Sequence, residues 1–238
     1  MTDPQGSINC EAPEDLAKRL GLAFSDNLLL CRALTHRSYL NEHPEALEDN
    51  ERLEFLGDAV LDFVVGRWLY NHFPEMNEGE MTRLRAALVK TEQLAEFAIQ
   101  LDIGPAIRLG RGEGENGGRT RLPMLCAVFE ALVGGLCLDA GIDAVEAFVE
   151  PLLDEAAEAI LAENEDQDPK SQLQERAQSQ GYEAPLYMTI EENGPDHEKT
   201  FTVEAIIGGN VYGRGSGRSK QVAAKAAARE ALKKFHAK

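Results

Sequence analysis

Glu51, Glu54, Asp58 and Asp62 are spaced to share one side of a helix. At about 100° per residue they fall within an arc of roughly 80°, opposite an apolar stripe of Leu53, Leu56, Val60, Phe63 and Val64. Like charges one turn apart cost an exposed helix about 0.2–0.5 kcal/mol per pair, so helix stability does not ask for this arrangement. Two readings remain open on this segment alone, a solvated acidic face and a cation site. Glu130 adds to the second, because it sits inside the apolar segment Met124 to Leu138, where an ionised side chain needs a partner or a metal. Ala127, Ala131, Gly134 and Gly135 lack bulk around it, so another helix could approach closely and bring Glu54 and Asp58 alongside. Hard oxygen ligands of this kind suit Mg²⁺, with Mn²⁺ able to substitute, and such ions activate water and stabilise charge in phosphodiester hydrolysis. The bland alternative is a neutral Glu130, or one paired with Arg52, Arg83 or Arg85. Phe55 projects beside the acidic face, away from the apolar stripe, as an incidental aromatic or as a dimer contact.

These side chains need a helical frame. Apolar residues recur at three- and four-residue spacing over Leu28–Leu40, Leu53–Leu69, Met81–Leu101 and Pro123–Ala140, and no strand is expected before residue 160. Leu122 to Leu138 is short for a membrane span and carries Glu130 at its middle, so it reads as a buried helix. Gly112, Gly114 and Gly117 make a GxGxxG match with no strand before it, which predicts a flexible loop over Gly110–Gly118 and no nucleotide cofactor. From Asp154 the chain becomes an acidic helical tail and then a connector poor in apolar residues. Beyond it the order changes to α-β-β-β-α. Asp168 and Pro169 open a helix with Leu173 and Ala177 on one face and Gly181 as its stop. Strands are expected near Pro185–Glu191, Thr200–Ile207 and Asn210–Gly215, the first two joined by a turn at Asn193–Asp196. Ser219–Phe235 closes as a helix that offers Val222, Ala226, Leu232 and Phe235 to the sheet.

The chain has 238 residues and a net charge of −17, which taken whole argues against nucleic acid. Its distribution reverses that. Residues 168–238 hold 11 Lys and Arg against 9 Asp and Glu, net +2, whereas residues 1–167 hold 13 against 32, net −19. Cys10, Cys31, Cys126 and Cys137 form no CxxC pair and sit near no histidine cluster, so neither a disulfide framework nor a zinc site is indicated. Met1 to Glu14 are polar and acidic, without the charged start and apolar run of a secretory signal, so the expected compartment is the cytoplasm, with no membrane partner.

The segment Asn50–Leu61, NERLEFLGDAVL, resembles the signature of ribonuclease III. Further similarities lie at Leu34–Ser38, Glu78–Arg83, Arg108–Glu113 and Phe129–Gly135, and together they span most of residues 11–155. The remainder resembles a double-stranded-RNA-binding domain, with glycines at 213, 215 and 217 leading into Ser219 and Lys220. The resemblance implies an all-α nuclease domain over 11–155, an acidic connector over 156–167 and a small α+β binding domain over 168–238. It implies that Glu54, Asp58 and Glu130 hold the catalytic metal, that Asp58 and Glu130 are catalytic, and that Glu51 and Glu78 are accessory. It further implies that Phe55 plugs a socket on a second copy, so that a homodimer places two cutting sites across one RNA helix, leaving 5′-phosphate and 3′-hydroxyl ends during processing of ribosomal and other transcripts.

One position departs from the family pattern. Where a further metal-site Asp is expected, three residues before Glu130, this chain has Ala127, and Asp139 lies three helical turns beyond it, too far to substitute. An active enzyme with an altered site is the first expectation, and a catalytically silent RNA-binding dimer the second. A small-molecule phosphohydrolase would leave the C-terminal domain without a role. For the RNA, duplex shape calls for three spaced contacts. The expected ones are Gln172 and Glu175 on the first helix, Pro195 and His197 at the strand turn, and Ser219, Lys220, Gln221 and Lys225 at the start of the last helix, whose N-terminus also favours phosphate. The family usually has two adjacent basic residues where this chain has Lys220 and Gln221, which lowers the number of phosphates neutralised.

Overall fold

Short polar caps and helix breakers divide the N-terminal part into separate helices. In the computed structural model, which describes residues 10–167, 169–195 and 199–235, they run α1 (Pro13–Leu20), α2 (Asn27–Ala33), α3 (Arg37–Leu40), α4 (Glu51–His72), α5 (Glu78–Leu88), α6 (Thr91–Gln100), α7 (Arg111–Glu115), α8 (Leu122–Ala140) and α9 (Ile142–Gln167). Asp26 accepts the Leu28 amide at 2.8 Å, and Asn77 with Glu80 closes a capping box on α5; each satisfies amides that a helix start leaves free. The apolar segment around Glu130 is α8, a core helix packed on α4, α6 and α2. Its Val128, Phe129, Leu132 and Val133 are fully buried, which accounts for its near-uniform apolarity. The chain divides by its contacts into two units, residues 1–160 and 161–238.

Several expectations need correction. The stretch Leu28–Leu40 is two helices, because Thr35 leaves the helical path and forms a parallel bridge with Arg108, a strand-like contact where none was expected. Its backbone bonds are Arg108 N–H to Leu34 O at 2.8 Å and His36 N–H to Arg108 O at 3.1 Å. The stretch Met81–Leu101 is also two helices: α5 ends at Leu88, and extended Lys90 leads into α6. The segment Gly110–Gly118 is no flexible loop. It contains α7, and Gly110 lies so close to α3 that a Cβ there would stand 2.6 Å from the Ser38 carbonyl oxygen. The acidic stretch after Asp154 remains helical to Gln167, as its alanine, glutamate and leucine content favours.

The C-terminal unit has the order expected: α10 (Pro169–Ser179), β1 (Leu186–Asn193), β2 (Thr200–Ile207), β3 (Asn210–Gly217) and α11 (Lys220–Lys234). The three strands form one antiparallel sheet in the order β1-β2-β3, with Met188 opposite Glu204 and Val203 opposite Gly215. Leu173 and Ala177 of α10 are fully buried, and Gly181 stops that helix at φ 79°. On α11 the buried face is Ala223, Ala224, Ala227, Ala228 and Ala231 with Phe235, whereas the expected Val222 lies over Gly217 of β3 but stays largely exposed. The reason is a backbone-to-backbone approach. A Cβ at Gly213 or Gly215 would stand 2.2 Å from Ala227 backbone atoms, so only alanines fit between helix and strand.

Candidate functional site

Two glycines set the distance between α4 and α8. A Cβ at Gly57 would stand 1.8 Å from the Glu130 carbonyl oxygen, and one at Gly134 would stand 2.2 Å from the Leu53 carbonyl oxygen. Main chain therefore lies directly on main chain, and α4 turns Leu53, Gly57, Leu61, Val64 and Trp68 inward. This corrects the expected stripe: Leu56 and Val60 are half-buried and Phe63 is exposed. Of the four small residues anticipated on α8, Gly134 makes the backbone approach to α4. Ala131 packs with Ala33 and Leu53, Gly135 faces Ala33 and Phe24 of the α2 side, and Ala127 is half-buried.

The consequence is electrostatic. Glu130 is pushed up to about 7, first by burial and then by the charges of Asp58 and Glu54, with a hydrogen bond to Cys126 opposing the rise. Glu54 is also raised, by burial and then by Glu51, Asp49 and Asp58. The Cys126 thiol is pushed up to about 12 by burial and by Glu130, to which it is hydrogen-bonded. Three carboxylates from two helices thus act on one another, and the charged groups that set the acidity of Glu130 are acidic, not Arg52, Arg83 or Arg85. Among the described residues no three acidic, His or Cys side chains close into a cage as they stand. Glu54 and Glu130 are half-buried and Asp58 is exposed; the three are nonetheless hard oxygen donors that repel each other, and a divalent cation is the charge that relieves such a set.

The start of α4 is fixed by Asn50, which is buried. Its amide donates to Thr35 O at 2.9 Å, its carbonyl accepts the Leu53 and Glu54 amides at 2.9 Å, and its Nδ2 donates to Ala33 O at 3.4 Å. Glu51 is exposed and faces Arg37 at 3.5 Å. Glu78 stands at the first position of α5, and its carboxylate is not among the charges acting on Glu54 or Glu130. Asp139 accepts the Ser25 and Asp26 amides at 2.7 and 2.8 Å, a structural role. Phe55 is 81% exposed.

In the C-terminal unit, Ser219 caps α11, its Oγ accepting the Val222 amide at 3.2 Å. Lys220 is already engaged by Glu192 of β1 at 2.7 Å. Gln221 and Lys225 line an open cleft of ≈ 370 Å³ together with Lys170, Ser171 and Gln174 of α10 and Tyr187 of β1; Lys170 lies over the Tyr187 ring at 4.6 Å. Sequence reasoning did not find these α10 and β1 residues; Lys170, one turn ahead of Gln174, was the available signal. Gln172 is half-buried, while Glu175 and Pro195 are exposed. His197 lies outside the described residues.

Residues 26–156 match the ribonuclease-III-like family, and residues 169–235 match the double-stranded RNA binding motif. Ribonuclease 3 of Roseiflexus sp. (strain RS-1) is 45% identical over 222 residues, covering 92% of this chain and 94% of that protein. Ribonuclease 3 of Geobacillus sp. (strain WCH70) is 46% identical over 227 residues, covering 93% and 90%. The nuclease domain of ribonuclease III from Campylobacter jejuni superposes with a TM-score of 0.54 at 39% identity, over 60% of this chain and 93% of that one. A second structure of that domain, which concerns flexibility in a region involved in its dimer formation, gives a TM-score of 0.54 at 38% identity, over 59% and 95%.

Proposed function

Because the chain belongs to the ribonuclease III family and is a double-stranded-RNA-specific endoribonuclease, we propose that Glu54, Asp58 and Glu130 hold its catalytic metal, Mg²⁺ with Mn²⁺ able to substitute. The observation that carries this reading is the approach of three carboxylates across the Gly57–Gly134 contact, with Glu130 lifted to about 7 by burial and then by its acidic neighbours. A bound divalent ion supplies an activated water and charge stabilisation at the phosphate. The chain's own part is to orient. Asp58 and Glu130 fix the reacting centre from two helices, and Glu51 and Glu78 are assigned accessory roles. Water oxygen adds to phosphorus as the bond to the 3′ oxygen breaks, leaving a 5′-phosphate and, once that oxygen takes a proton, a 3′-hydroxyl.

A homodimer, with Phe55 of each copy seated in the other, would set two such centres against the two strands of one duplex. Gln172, Glu175, Pro195, His197, Ser219, Lys220, Gln221 and Lys225 contact the RNA, and ribosomal and messenger precursors are the cytoplasmic substrates. The relatives' identity along nearly their full lengths favours the active enzyme over a silent RNA-binding dimer.

The test incubates the protein with a uniform RNA duplex across Mg²⁺ and Mn²⁺ series, beside Glu130→Gln and Ala127→Asp. Cleavage lost in Glu130→Gln and reached at lower metal concentration in Ala127→Asp is the expected result. Binding without cutting at every metal concentration would overturn the reading.

A further inference from the structure

Arg108 opens a stretch, Arg108–Glu113, for which the carboxylate centre gives no role. Its guanidinium is tied in three ways. Nη1 donates to Thr35 Oγ1 at 3.2 Å, Nη2 donates to the Tyr39 hydroxyl at 3.2 Å, and its carbon lies 4.4 Å from the centre of the Tyr39 ring. The side chain is half-buried and, among the described residues, forms no ion pair, so this cation is held for its shape. An arginine fork meets two separated acceptors at once, which the single ammonium of a lysine cannot. Thr35 lies just beyond α2 and Tyr39 lies within α3, so one side chain fixes the turn between those helices from both sides. The turn then grips α4. Thr35 is 1% exposed, its carbonyl accepts the Asn50 amide at 2.9 Å, and the Asn50 carbonyl accepts the Leu53 and Glu54 amides at 2.9 Å.

We propose that Arg108 is a positioning residue of the metal centre, setting through Thr35 and Asn50 the direction in which α4 presents Glu54 to the ion. The proposal rests on the reading of Glu54, Asp58 and Glu130 as the metal's ligands. The approach of Gly57 and Gly134 holds α4 at one point, and a helix held at one point can still pivot there. At 1.5 Å per residue, Asn50 stands about 10 Å from Gly57 along the axis and Glu54 about 4.5 Å. A slip of about 1 Å at Asn50 therefore swings Glu54 by about 0.4 Å, whereas Asp58, beside the pivot, hardly moves. Ligand sets need holding to about 0.5 Å, so losing Arg108 loosens the ion without expelling it. The effect reaches the centre through the backbone alone.

The experiment uses the full chain and Mn²⁺ alone, its binding followed by the loss of the free-ion EPR signal, with thermal midpoints in EDTA reporting the fold. Arg108→Met keeps the stem and removes the fork; Arg108→Lys keeps the charge. Tyr39→Phe removes one acceptor, keeps the ring, and carries the test should Arg108→Met fail to fold. The control is Arg19→Met, which frees the Leu101 and Asp102 carbonyls held at 2.7 and 2.9 Å between α1 and the end of α6. Arg108→Met is expected to weaken Mn²⁺ binding about fivefold, below the about tenfold or more lost with a direct partner of a ligand. Arg108→Lys and Tyr39→Phe should fall between it and wild type, and Arg19→Met should stay within about twofold whatever its midpoint. In a Glu54→Gln background Arg108→Met should cost little more, since its effect runs through Glu54. Wild-type affinity in Arg108→Met and Tyr39→Phe overturns the proposal, and so does an equal loss in Arg19→Met at a matched midpoint, which marks stability alone. If Glu54→Gln itself binds Mn²⁺ as wild type does, the ligand reading falls as well; if only Glu54→Gln loses binding, that reading stands and the role of Arg108 falls alone.

Discussion

Glu130→Gln should stabilise the metal-free protein at the same time as it removes activity. Glutamine matches the shape of glutamate, but it cannot ionise beside Asp58 and Glu54. Burial and those neighbours lift Glu130 from 4.5 to about 7. A carboxyl held this way binds its proton more tightly folded than unfolded. Folding is thus unpenalised below about pH 4.5 and loses stability as the pH climbs through 7. At about 1.4 kcal/mol per tenfold change in acidity, the full penalty would be about 3.4 kcal/mol. The side chain is only half-buried, and screening by solvent reduces the penalty to about 1.5 kcal/mol. For a unit of this size that corresponds to about 3–6 °C in Tm. The assay is calorimetry in EDTA from pH 5 to 8.5. The wild-type midpoint should fall relative to that of Glu130→Gln as the pH rises, and the gap should close when Mg²⁺ is restored to the wild type. Parallel pH profiles for the two proteins, or a variant less stable than wild type at pH 8.5, would refute the electrostatic account of the site.

Gly57→Ala places a methyl group 1.8 Å from the Glu130 carbonyl oxygen, so α4 and α8 must separate; a loss of about 3 kcal/mol in urea unfolding, together with loss of cleavage, is expected. Glu192→Gln releases Lys220 from its 2.7 Å ion pair. Since exposed pairs are worth about 0.2–1 kcal/mol, duplex affinity should rise about 1.5- to 5-fold at low salt, with a steeper salt dependence in fluorescence anisotropy.

The carboxylates were legible because charge is informative where it conflicts with its surroundings. Glu130 inside an apolar helix and four acids on one arc both lack a stability explanation, and spacing alone exposes them. The C-terminal unit was legible because its strands and helices change period and are separated by turn residues. Gly57 was not, since a helical glycine carries no periodicity and its meaning lies in what it touches. The break at Thr35 was hidden because Leu34, Arg37 and Leu40 keep a helical pattern while the backbone bonds go to Arg108, 73 residues away. The alanine face of α11 was hidden for the converse reason: the bare strand opposite, at Gly213 and Gly215, decides which face of α11 can approach.

The bridge at Thr35 bears on how the nuclease unit comes apart. Thr35 accepts the Asn50 amide while its neighbours exchange bonds with Arg108, and Arg108 Nη1 donates to Thr35 Oγ1 at 3.2 Å. Three stretches distant in sequence thereby meet in one node at the root of α4. Such a node cannot fray residue by residue, because releasing any one strand frees the others, so the amides of His36, Asn50 and Arg108 should exchange with solvent in a single cooperative opening. The closure is non-local, so during folding it is completed only after a long loop has been drawn shut. The acidic helix can therefore form early by its own propensity, while its orientation is among the last things the domain acquires.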